Sequence, residues 1–373
     1  MVDFLRWTAP GIADLRPYVP GKPLEELERE LGLAETIKLA SNENPLGSSP
    51  QAREAARRAM EGIHLYPDDS GYRLKNRLAE KLGVAAEQIV LGAGSSDVID
   101  MVARSFLAPG RNAVFSRYAF AMYPIYTTAA GARCRVADAL PPDHPRMPWG
   151  HDLQAMADLV DEETRVVFIA NPNNPTGTWL EGEELHAFLS GLPEHLVVVL
   201  DEAYTEYVTD PDFPDGVAWL DEFPNLIVTR TFSKIHGLAG LRVGYGIAHP
   251  ALIEVIGRVR HPFNVSVPAL AAAEAALEDD AFLDHSREVN RSGLAQLEQG
   301  LAGMGLEYIP SAGNFLTFEL DRDGGEVYEA LLRQGVIVRP VANYGMPRHL
   351  RVTVGTEAEN RRFLEALRRV LAS

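Results

Sequence analysis

The sequence predicts an α/β protein, with a large domain built on a mostly parallel sheet flanked by helices and a smaller α+β domain. Short runs rich in Val, Ile and Leu alternate with helical segments through the middle of the chain, and within these runs apolar and polar residues hardly alternate. Strands of this kind are buried on both faces, as in parallel sheets with helical crossovers. The runs lie at 89–94, 113–116, 166–170, 196–200 and 226–230.

The pattern changes after Pro268, where the composition predicts a long helix from Ala269 to Gly305. Shorter strands and helices are predicted beyond it, at 315–320, 326–334, 336–340, 350–355 and 357–371. The first forty or so residues, rich in Pro and Gly, are expected to wrap onto this second unit. We therefore predict a large domain at 46–265 and a small domain formed by 1–45 together with 266–373.

Composition limits the classes of partner. The 373 residues carry a net charge of −17, which argues against nucleic acids and anionic membranes. Cys134 is the single cysteine, so no disulfide can form within the chain, and we expect a reducing, cytoplasmic location. No Cys/His cluster with zinc spacing occurs, so no metal site is expected. The first residues lack the features of a signal peptide, and no apolar run is long enough to span a membrane.

The segment Thr231–Gly237, T-F-S-K-I-H-G, carries the strongest chemical signal because its lysine, Lys234, follows directly after an apolar run. A buried lysine loses its charge easily and becomes a nucleophile. Such an amine can form a Schiff base with an aldehyde cofactor such as pyridoxal phosphate. Ser233 and Arg242 could hold the phosphate of that cofactor. The alternative interpretation is a surface lysine in a turn.

A glycine-rich turn, G-A-G-S-S-D at 92–97, opens a predicted helix. Glycines allow close approach of a ligand to the backbone, and the free N–H groups at a helix start bind phosphate. The turn therefore favours a phosphate site. The alternative is a tight turn in which Ser95 or Ser96 caps the helix.

Two further motifs follow buried strands. Asp201 ends the run V-V-V-L-D, where a carboxylate is costly unless it is paired, and a protonated pyridine nitrogen would pair it. Tyr204 and Asn174, the latter within N-P-N-N-P-T-G at 171–177, could both reach the phenolic oxygen of the same cofactor. The alternatives are a helix cap for Asp201 and an ordinary turn for 171–177.

In order and spacing these segments resemble the pyridoxal-phosphate-dependent aminotransferases of fold type I, and among them the histidinol-phosphate aminotransferase family most. The resemblance covers nearly the whole chain. The segments that narrow it to this family are Y-V-P-G-K-P at 18–23, S-N-E-N-P at 41–45 and I-V-R-P at 337–340. The resemblance implies a fold type I transferase that binds pyridoxal 5′-phosphate and acts as a homodimer with shared active sites.

The resemblance also implies roles for individual residues. The catalytic residues are the Schiff-base lysine, the partner of the pyridine nitrogen and a tyrosine on the phenolic oxygen: Lys234, Asp201 and Tyr204. These three also bind the cofactor, together with Ser95, Ser96, Phe120, Asn174, Ser233, Arg242 and, from the neighbouring subunit, Tyr66. The substrate-side residues are Tyr18, Asn44, Arg339 and Arg351. Two departures from the family pattern are Ser96-Asp97, where many members have two acidic residues, and His236, which replaces an aromatic residue and is expected in the core.

The implied reaction is transamination of L-histidinol phosphate with 2-oxoglutarate, giving imidazole-acetol phosphate and glutamate in histidine biosynthesis. An aromatic amino-acid aminotransferase is the first alternative, because substrate choice depends on the shape of a pocket. A pyridoxal-phosphate-dependent decarboxylase of phospho-amino acids is the second. A non-catalytic regulator that binds the same cofactor is disfavoured, since the acidic chain has no spare basic segment. Arg339 together with Tyr18 favours a phosphorylated substrate.

Overall fold

Strands and helices alternate through the first two thirds of the chain. The computed structural model describes residues 2–18, 20–33 and 35–372. Its strands are β1 (Ile37–Lys38), β2 (Ile89–Gly92), β3 (Asn112–Ser116), β4 (Arg133–Ala137), β5 (Thr164–Ala170), β6 (Val197–Asp201), β7 (Leu226–Thr231), β8 (Gly244–Ala248), β9 (Tyr308–Ile309), β10 (Phe315–Glu319), β11 (Val336–Ile337), β12 (Arg339–Pro340) and β13 (His349–Thr353).

The helices surround these strands. The α-helices are α1 (Leu24–Leu31), α2 (Pro50–Ala59), α3 (Tyr72–Leu82), α4 (Ser95–Phe106), α5 (Met122–Ala129), α6 (Leu153–Asp158), α7 (Gly182–Gly191), α8 (Pro250–Gly257), α9 (Val267–Ala276), α10 (Asp280–Ala302), α11 (Gly324–Arg333) and α12 (Glu357–Leu371). Short 3-10 helices occur at Phe4–Trp7, Ile12–Asp14, Met60–Gly62, Ala86–Gln88, Thr205–Tyr207, Gly216–Trp219, Ala239–Leu241 and Ala342–Tyr344. None of the helices in the described ranges has the length and apolar composition that a membrane crossing requires.

A large sheet of seven strands among the described residues has the order β2-β8-β7-β6-β5-β3-β4. All neighbouring pairs from β7 to β4 are parallel, whereas β8 is antiparallel to both β7 and β2. The antiparallel exception arises because residues 232–243 return the chain from β7 without a crossover helix. Every residue of β6 and β7 is buried. The predicted α/β fold with a mostly parallel sheet is confirmed.

The parallel direction of β5, β6 and β7 determines where a site can form. Their carboxyl ends meet at one edge of the sheet, and β2 also ends there. Each strand is followed directly by one of the motifs that the sequence singles out, at 171–177, 201–204, 231–237 and 92–97. Open α/β sheets bind their ligands at this edge.

A second core is built on an antiparallel sheet of four strands in the described chain, in the order β12-β13-β10-β9. Helices α10, α11 and α12 cover it with buried side chains that include Leu297, Leu331 and Phe363. A capping box formed by Thr356 and Glu359 begins α12. Strand β1 pairs in parallel with β11, so the early part of the chain joins this second unit.

The segment predicted as one helix from Ala269 to Gly305 is two helices, α9 and α10, so that prediction is wrong. The side chain of Asp279 accepts the N–H of Phe282 and begins α10 as its N-cap, which ends the continuous helix. Helix α9 buries its alanine-rich face, and also Leu277, in the core of the large sheet. The division into two domains remains a proposal, and we place its boundary after Leu277 rather than after residue 265.

We predict that Leu277→Ala and Leu301→Ala loosen different parts of the protein. Each substitution removes a buried leucine, which costs about 2–5 kcal/mol. Leu277 packs in the core of the large sheet and Leu301 in the core of the small sheet. Native-state hydrogen exchange should therefore rise in α2 and β2 for the first variant, and in β10 and β13 for the second. Equal increases in both cores for both variants would contradict the proposed division.

Candidate active site

An open cavity lies at the carboxyl edge of the large sheet. Its empty volume, which includes open solvent at the mouth, is about 790 Å³. Nine residues predicted from the sequence as cofactor ligands line it: Ser95, Ser96, Phe120, Asn174, Asp201, Tyr204, Ser233, Lys234 and Arg242. Chain segments that are far apart in sequence thus meet in one pocket.

Lys234 places its amine in this cavity just after the end of β7. The following turn requires Gly237, since its φ is +67° and a Cβ there would lie 1.9 Å from the carbonyl oxygen of Gly47. The Nζ of Lys234 donates to the carbonyl oxygen of Ser41 at 3.5 Å. Burial, and next the positive charge of Arg351, lower the pKa of Lys234 to about 8. The amine can therefore exchange its proton close to neutral pH, as a nucleophile or a general base must.

Asp201 is buried at the end of β6. Its Oδ2 accepts the hydroxyl of Tyr123 at 3.0 Å, and its Oδ1 accepts the hydroxyl of Thr229 at 3.1 Å. Burial raises the pKa of Asp201 to about 6 despite these two donors. The described residues offer it no ion pair, so the carboxylate suits a cationic ligand group in the cavity.

The start of α4 and the guanidinium of Arg242 form a cradle for an anion. Arg242 donates to Ser233 Oγ at 3.1 Å and to the carbonyl oxygen of Ala93 at 3.3 Å. At Gly94, where φ is +87°, a Cβ would lie 2.3 Å from Nη2 of Arg242, so only glycine leaves the cradle open. Among the described residues no side chain caps α4, whose first N–H groups attract negative charge. The donor set fits the phosphate of pyridoxal 5′-phosphate.

Tyr204 and Asn174 both line the cavity. The Tyr204 oxygen accepts a hydrogen bond from Asn42 Nδ2 at 2.8 Å, and burial raises the pKa of Tyr204 to about 12, so the phenol stays protonated. Asn174 Oδ1 accepts a hydrogen bond from Arg351. Phe120 lies on the cavity wall with its ring edge-on to Tyr123, 5.8 Å between centroids. The cavity therefore offers neutral polar groups and an aromatic face beside the amine.

Two buried arginines lie directly opposite each other on β12 and β13, Arg339 and Arg351, and so point to the same face of the small sheet. Arg351 donates to Asn174 and to the carbonyl oxygen of Ala40, but its buried Nε has no partner in the described structure. The guanidinium of Arg339 lies 5.3 Å from the ring centroid of Tyr18 and forms no ion pair with any described residue. Opposed like charges are destabilising unless an anion joins them.

Besides Tyr18, Arg339 and Arg351, three further residues singled out from the sequence lie outside the cavity lining. Tyr66 is 80% exposed, and its ring stacks on Phe263 with centroids 4.5 Å apart. The Asn44 amide donates to the carbonyl oxygen of Ile235 at 2.7 Å and so holds the loop rather than facing the cavity. His236 is buried in the core, where burial lowers its pKa to about 3. The structure brings neither Tyr66 nor Asn44 to the site of its own chain, and their roles remain predictions.

Sequence reasoning missed three residues that contact the predicted ones. Tyr123 follows Phe120 by three positions, and Thr229 is the cross-strand partner of Asp201 in the register of β6 and β7. Asn42 stands two positions before Asn44 in the same motif. The spacing along α5 and the strand pairing could have indicated the first two, but no local signal distinguishes Asn42 from Asn44.

A family model described as aminotransferase class I and II matches residues 34–367. The chain belongs to this family. It is an aminotransferase, as the motifs predict, and the expectation of a fold type I transferase is confirmed by its structural relatives.

Similar proteins cover nearly all of this aminotransferase. It is 58% identical over 363 residues to histidinol-phosphate aminotransferase 2 of Methylococcus capsulatus, covering 97% of each chain. It is 56% identical over 372 residues to histidinol-phosphate aminotransferase 2 of Pseudomonas fluorescens, covering 99% of each. The crystal structure of histidinol-phosphate aminotransferase from Sinorhizobium meliloti in complex with pyridoxal-5′-phosphate superposes with a TM-score of 0.88 at 29% identity, over 98% of this chain and 97% of the other.

We predict that Asp201→Asn changes how the stability of the cofactor-free protein depends on pH. The folded-state pKa of Asp201, about 6, lies above the ordinary 3.8. A raised pKa stabilises the fold below the unfolded value, and this contribution is lost as the pH rises through the folded value. The parent should therefore lose up to about 3 kcal/mol relative to the variant between pH 4 and pH 6–7. Urea unfolding across this range measures the difference, and a gap that does not change with pH would refute the assignment.

Proposed function

We propose that this aminotransferase uses pyridoxal 5′-phosphate to transfer the amino group of L-histidinol phosphate to 2-oxoglutarate, giving imidazole-acetol phosphate and glutamate in histidine biosynthesis. The choice of substrate rests on the opposed pair Arg339 and Arg351, of which Arg351 donates to the cavity-lining residue Asn174. A phosphate ester has the charge and the oxygen atoms to join two guanidinium groups. The relatives named histidinol-phosphate aminotransferase support the same choice.

The cavity supports binding of the cofactor through three groups of residues. The start of α4, with Ser233 and Arg242, would hold its phosphate. Asp201 would pair with the protonated ring nitrogen, and Tyr204 with Asn174 would bind the ring oxygen. When bound, pyridoxal 5′-phosphate supplies an aldehyde that takes up an amino group and a conjugated ring that accepts an electron pair from the neighbouring carbon.

Lys234 performs the acid–base chemistry in this proposal. Its lowered pKa leaves a fraction of the amine neutral at pH 7, as a nucleophile toward the aldehyde of the cofactor would have to be. With cofactor and donor bound, the same amine would act as the general base that takes the proton from the substrate Cα, and as the general acid that returns it. Asp201 keeps its negative charge next to the ring nitrogen throughout and so holds a proton on that atom.

Arg339 and Arg351 orient the substrates. Arg351 is held by the carbonyl oxygen of Ala40 and by Asn174, which leaves its Nε without a protein partner. A carboxylate of glutamate can bind to that guanidinium, and the phosphate of histidinol phosphate can reach both arginines. The same two arginines would thus bind the phosphorylated donor in one half-reaction and the dicarboxylate acceptor in the other.

A homodimer with shared active sites is part of the proposal. Tyr66 cannot serve the cavity of its own chain from its exposed position, and it would act on the cofactor phosphate of a neighbouring subunit. Its surroundings favour burial in such an interface, because exposed apolar side chains cluster nearby in the sequence and at the ring that stacks on it. These side chains are Met60, Ile63, Leu65, Tyr72 and Phe263.

We also propose a cytoplasmic location. The only ground for it is the cysteine content, since Cys134 alone cannot form a disulfide within the chain. Cys134 is half-buried, and burial raises the pKa of its thiol, which makes it unreactive.

The experiment that tests the proposed reaction is a half-reaction without an acceptor. We predict that histidinol phosphate and glutamate each bleach the visible absorption band of the cofactor-loaded protein rapidly, whereas phenylalanine acts slowly. Lys234→Ala should lack the band produced by the bond between lysine and aldehyde, and should lower the transamination rate by about 10²–10⁴-fold or more. Stopped-flow absorbance measures both effects.

Lys75→Ala is the matched control, because burial lowers the pKa of that lysine too, yet it lies on α3 outside the cavity lining. This variant should keep the band and the rate. Faster bleaching by phenylalanine would instead make the enzyme an aromatic aminotransferase. A shifted band without bleaching would indicate a decarboxylase, and a parent protein without any visible band would overturn the role of Lys234.

We predict that Arg339→Gln discriminates between the two amino donors. Removing this cation should lower kcat/KM for histidinol phosphate by about 10- to 100-fold, the usual effect of losing a charge-assisted hydrogen bond. Glutamate should lose less, because Arg351 remains available to its carboxylate. Arg348→Gln, at an exposed position beside the same sheet, should change neither value. Equal losses for both donors would mean that Arg339 does not recognise the phosphate.

A further inference from the structure

Asn42 connects the cavity to the small sheet through the phenol of Tyr204. It lies between β1 and α2 and is only 1% exposed. Its Nδ2 donates to the Tyr204 oxygen at 2.8 Å. The phenol oxygen is therefore an acceptor in this contact, and its own O–H finds no acceptor among the described residues. Because Tyr204 lines the cavity, that hydrogen is free to point toward a ligand.

Thr353 on β13 determines which end of the Asn42 amide faces Tyr204. Its Oγ1 accepts the backbone N–H of Asn42 at 2.9 Å, and its hydroxyl donates to Asn42 Oδ1 at 3.3 Å. With the amide reversed, the NH₂ group would face the Thr353 hydroxyl, whose oxygen would have to accept a second hydrogen bond and whose hydrogen would lose this acceptor. The donor end of the amide is thus directed at Tyr204.

The backbone of Asn42 is held in a conformation that few side chains adopt. Its φ is +54°, in the left-handed region, where residues other than glycine are uncommon. Asn314 Nδ2 donates to the Asn42 carbonyl oxygen at 3.0 Å, so the N–H, the carbonyl and both ends of the side chain are all engaged. Strained residues persist when their surroundings over-determine them, and they concentrate at functional sites.

We propose that Asn42 is a positioning residue that makes Tyr204 a hydrogen-bond donor toward the ring oxygen of the cofactor. The inference rests on the proposed function, since it requires that pyridoxal 5′-phosphate occupy the cavity. A donor on an ionised oxygen reduces the negative charge that this oxygen presents to the nitrogen of Lys234. That nitrogen then releases its proton at a lower pH. Asn42 therefore adjusts the pH range of the reaction without touching any reacting atom.

Other charged or ionisable groups act on the same nitrogen and are left unchanged by a substitution at Asn42. They are Arg351 on β13, Glu43 in the segment before α2, Tyr18 at the start of the chain and Arg242 in the turn after β7. Asp201 interacts with both Lys234 and Tyr204. Only a comparison that keeps all of these constant can isolate the contribution of Asn42.

Asn42→Asp tests the proposal, because a carboxylate of nearly the same shape can only accept and so draws the Tyr204 hydrogen away from the cofactor. We expect the pH midpoint of the visible absorption change of the loaded protein to rise by about one to two units, the equivalent of one hydrogen bond to a charged group. The added negative charge also raises the midpoint by itself. The same substitution in a Tyr204→Phe background measures that charge effect alone.

The shift of the pH midpoint is compared between the parent and the Tyr204→Phe background. A larger shift in the parent than in the Tyr204→Phe background supports the proposal, and equal shifts overturn it. Asn76→Asp, which adds the same charge at an exposed position on α3, should produce no shift. If Asn42→Asp does not fold, Asn42→Gly carries the test. Glycine accepts a φ of +54°, and this variant should give a smaller upward shift that disappears in the Tyr204→Phe background.

A separate measurement distinguishes failure of this inference from failure of the proposed function. If the parent protein has no visible band, the proposed function fails. Urea unfolding of the cofactor-free parent, Asn42→Gly, Tyr204→Phe and the double variant still reports on the contact. Non-additive shifts in the unfolding midpoint show that Asn42 and Tyr204 act together. Additive shifts would overturn the positioning role whatever the enzyme catalyses.

Discussion

The burial of two neighbouring carboxylates at the end of β6 constrains the rest of the site. Glu202 faces away from the cavity and forms a buried ion pair with Arg230, 2.6 Å between nitrogen and oxygen, and Arg230 also contacts Asp215. The negative charge of Glu202 is therefore compensated by the protein. Asp201, on the cavity side, accepts the hydroxyls of Tyr123 and Thr229 and forms no ion pair with any described residue. Because a buried charge without a paired counter-ion is costly, a cationic ligand group in the cavity would stabilise this strand end.

The cavity was largely predictable from the sequence because the residues that line it directly follow buried strands. An apolar run identifies the strand, and the parallel arrangement then brings the residues after each run to one edge. For this reason Asn174, Asp201 and Lys234 could be placed together before the fold was known. The division into two helices at Asp279 was not predicted. The high alanine content favours one continuous helix, and the N-cap that begins the second helix depends on a single carboxylate.

The contacts that support these ligands were not predictable in the same way. Tyr123 and Thr229 reach Asp201 only through the packing of α5 and the register of β7 against β6. Asn42 and Asn44 belong to one five-residue motif, yet their side chains bind different parts of the structure. The left-handed backbone at Asn42 turns its amide toward Tyr204, whereas Asn44 bonds to the loop that follows Lys234. Neither the composition nor the spacing of the motif indicates which asparagine makes which contact.

The opposed guanidinium groups of Arg339 and Arg351 also affect how the protein responds to its medium. Two buried cations, of which Arg351 has a buried Nε without a partner among the described residues, attract small tetrahedral oxyanions through charge and geometry. Inorganic phosphate or sulfate in a buffer should therefore compete with the proposed phosphorylated substrate. By binding only the folded chain, the same ions raise its melting temperature with their concentration. A phosphate or sulfate buffer thus lowers the apparent affinity for the proposed substrate while it raises the melting temperature.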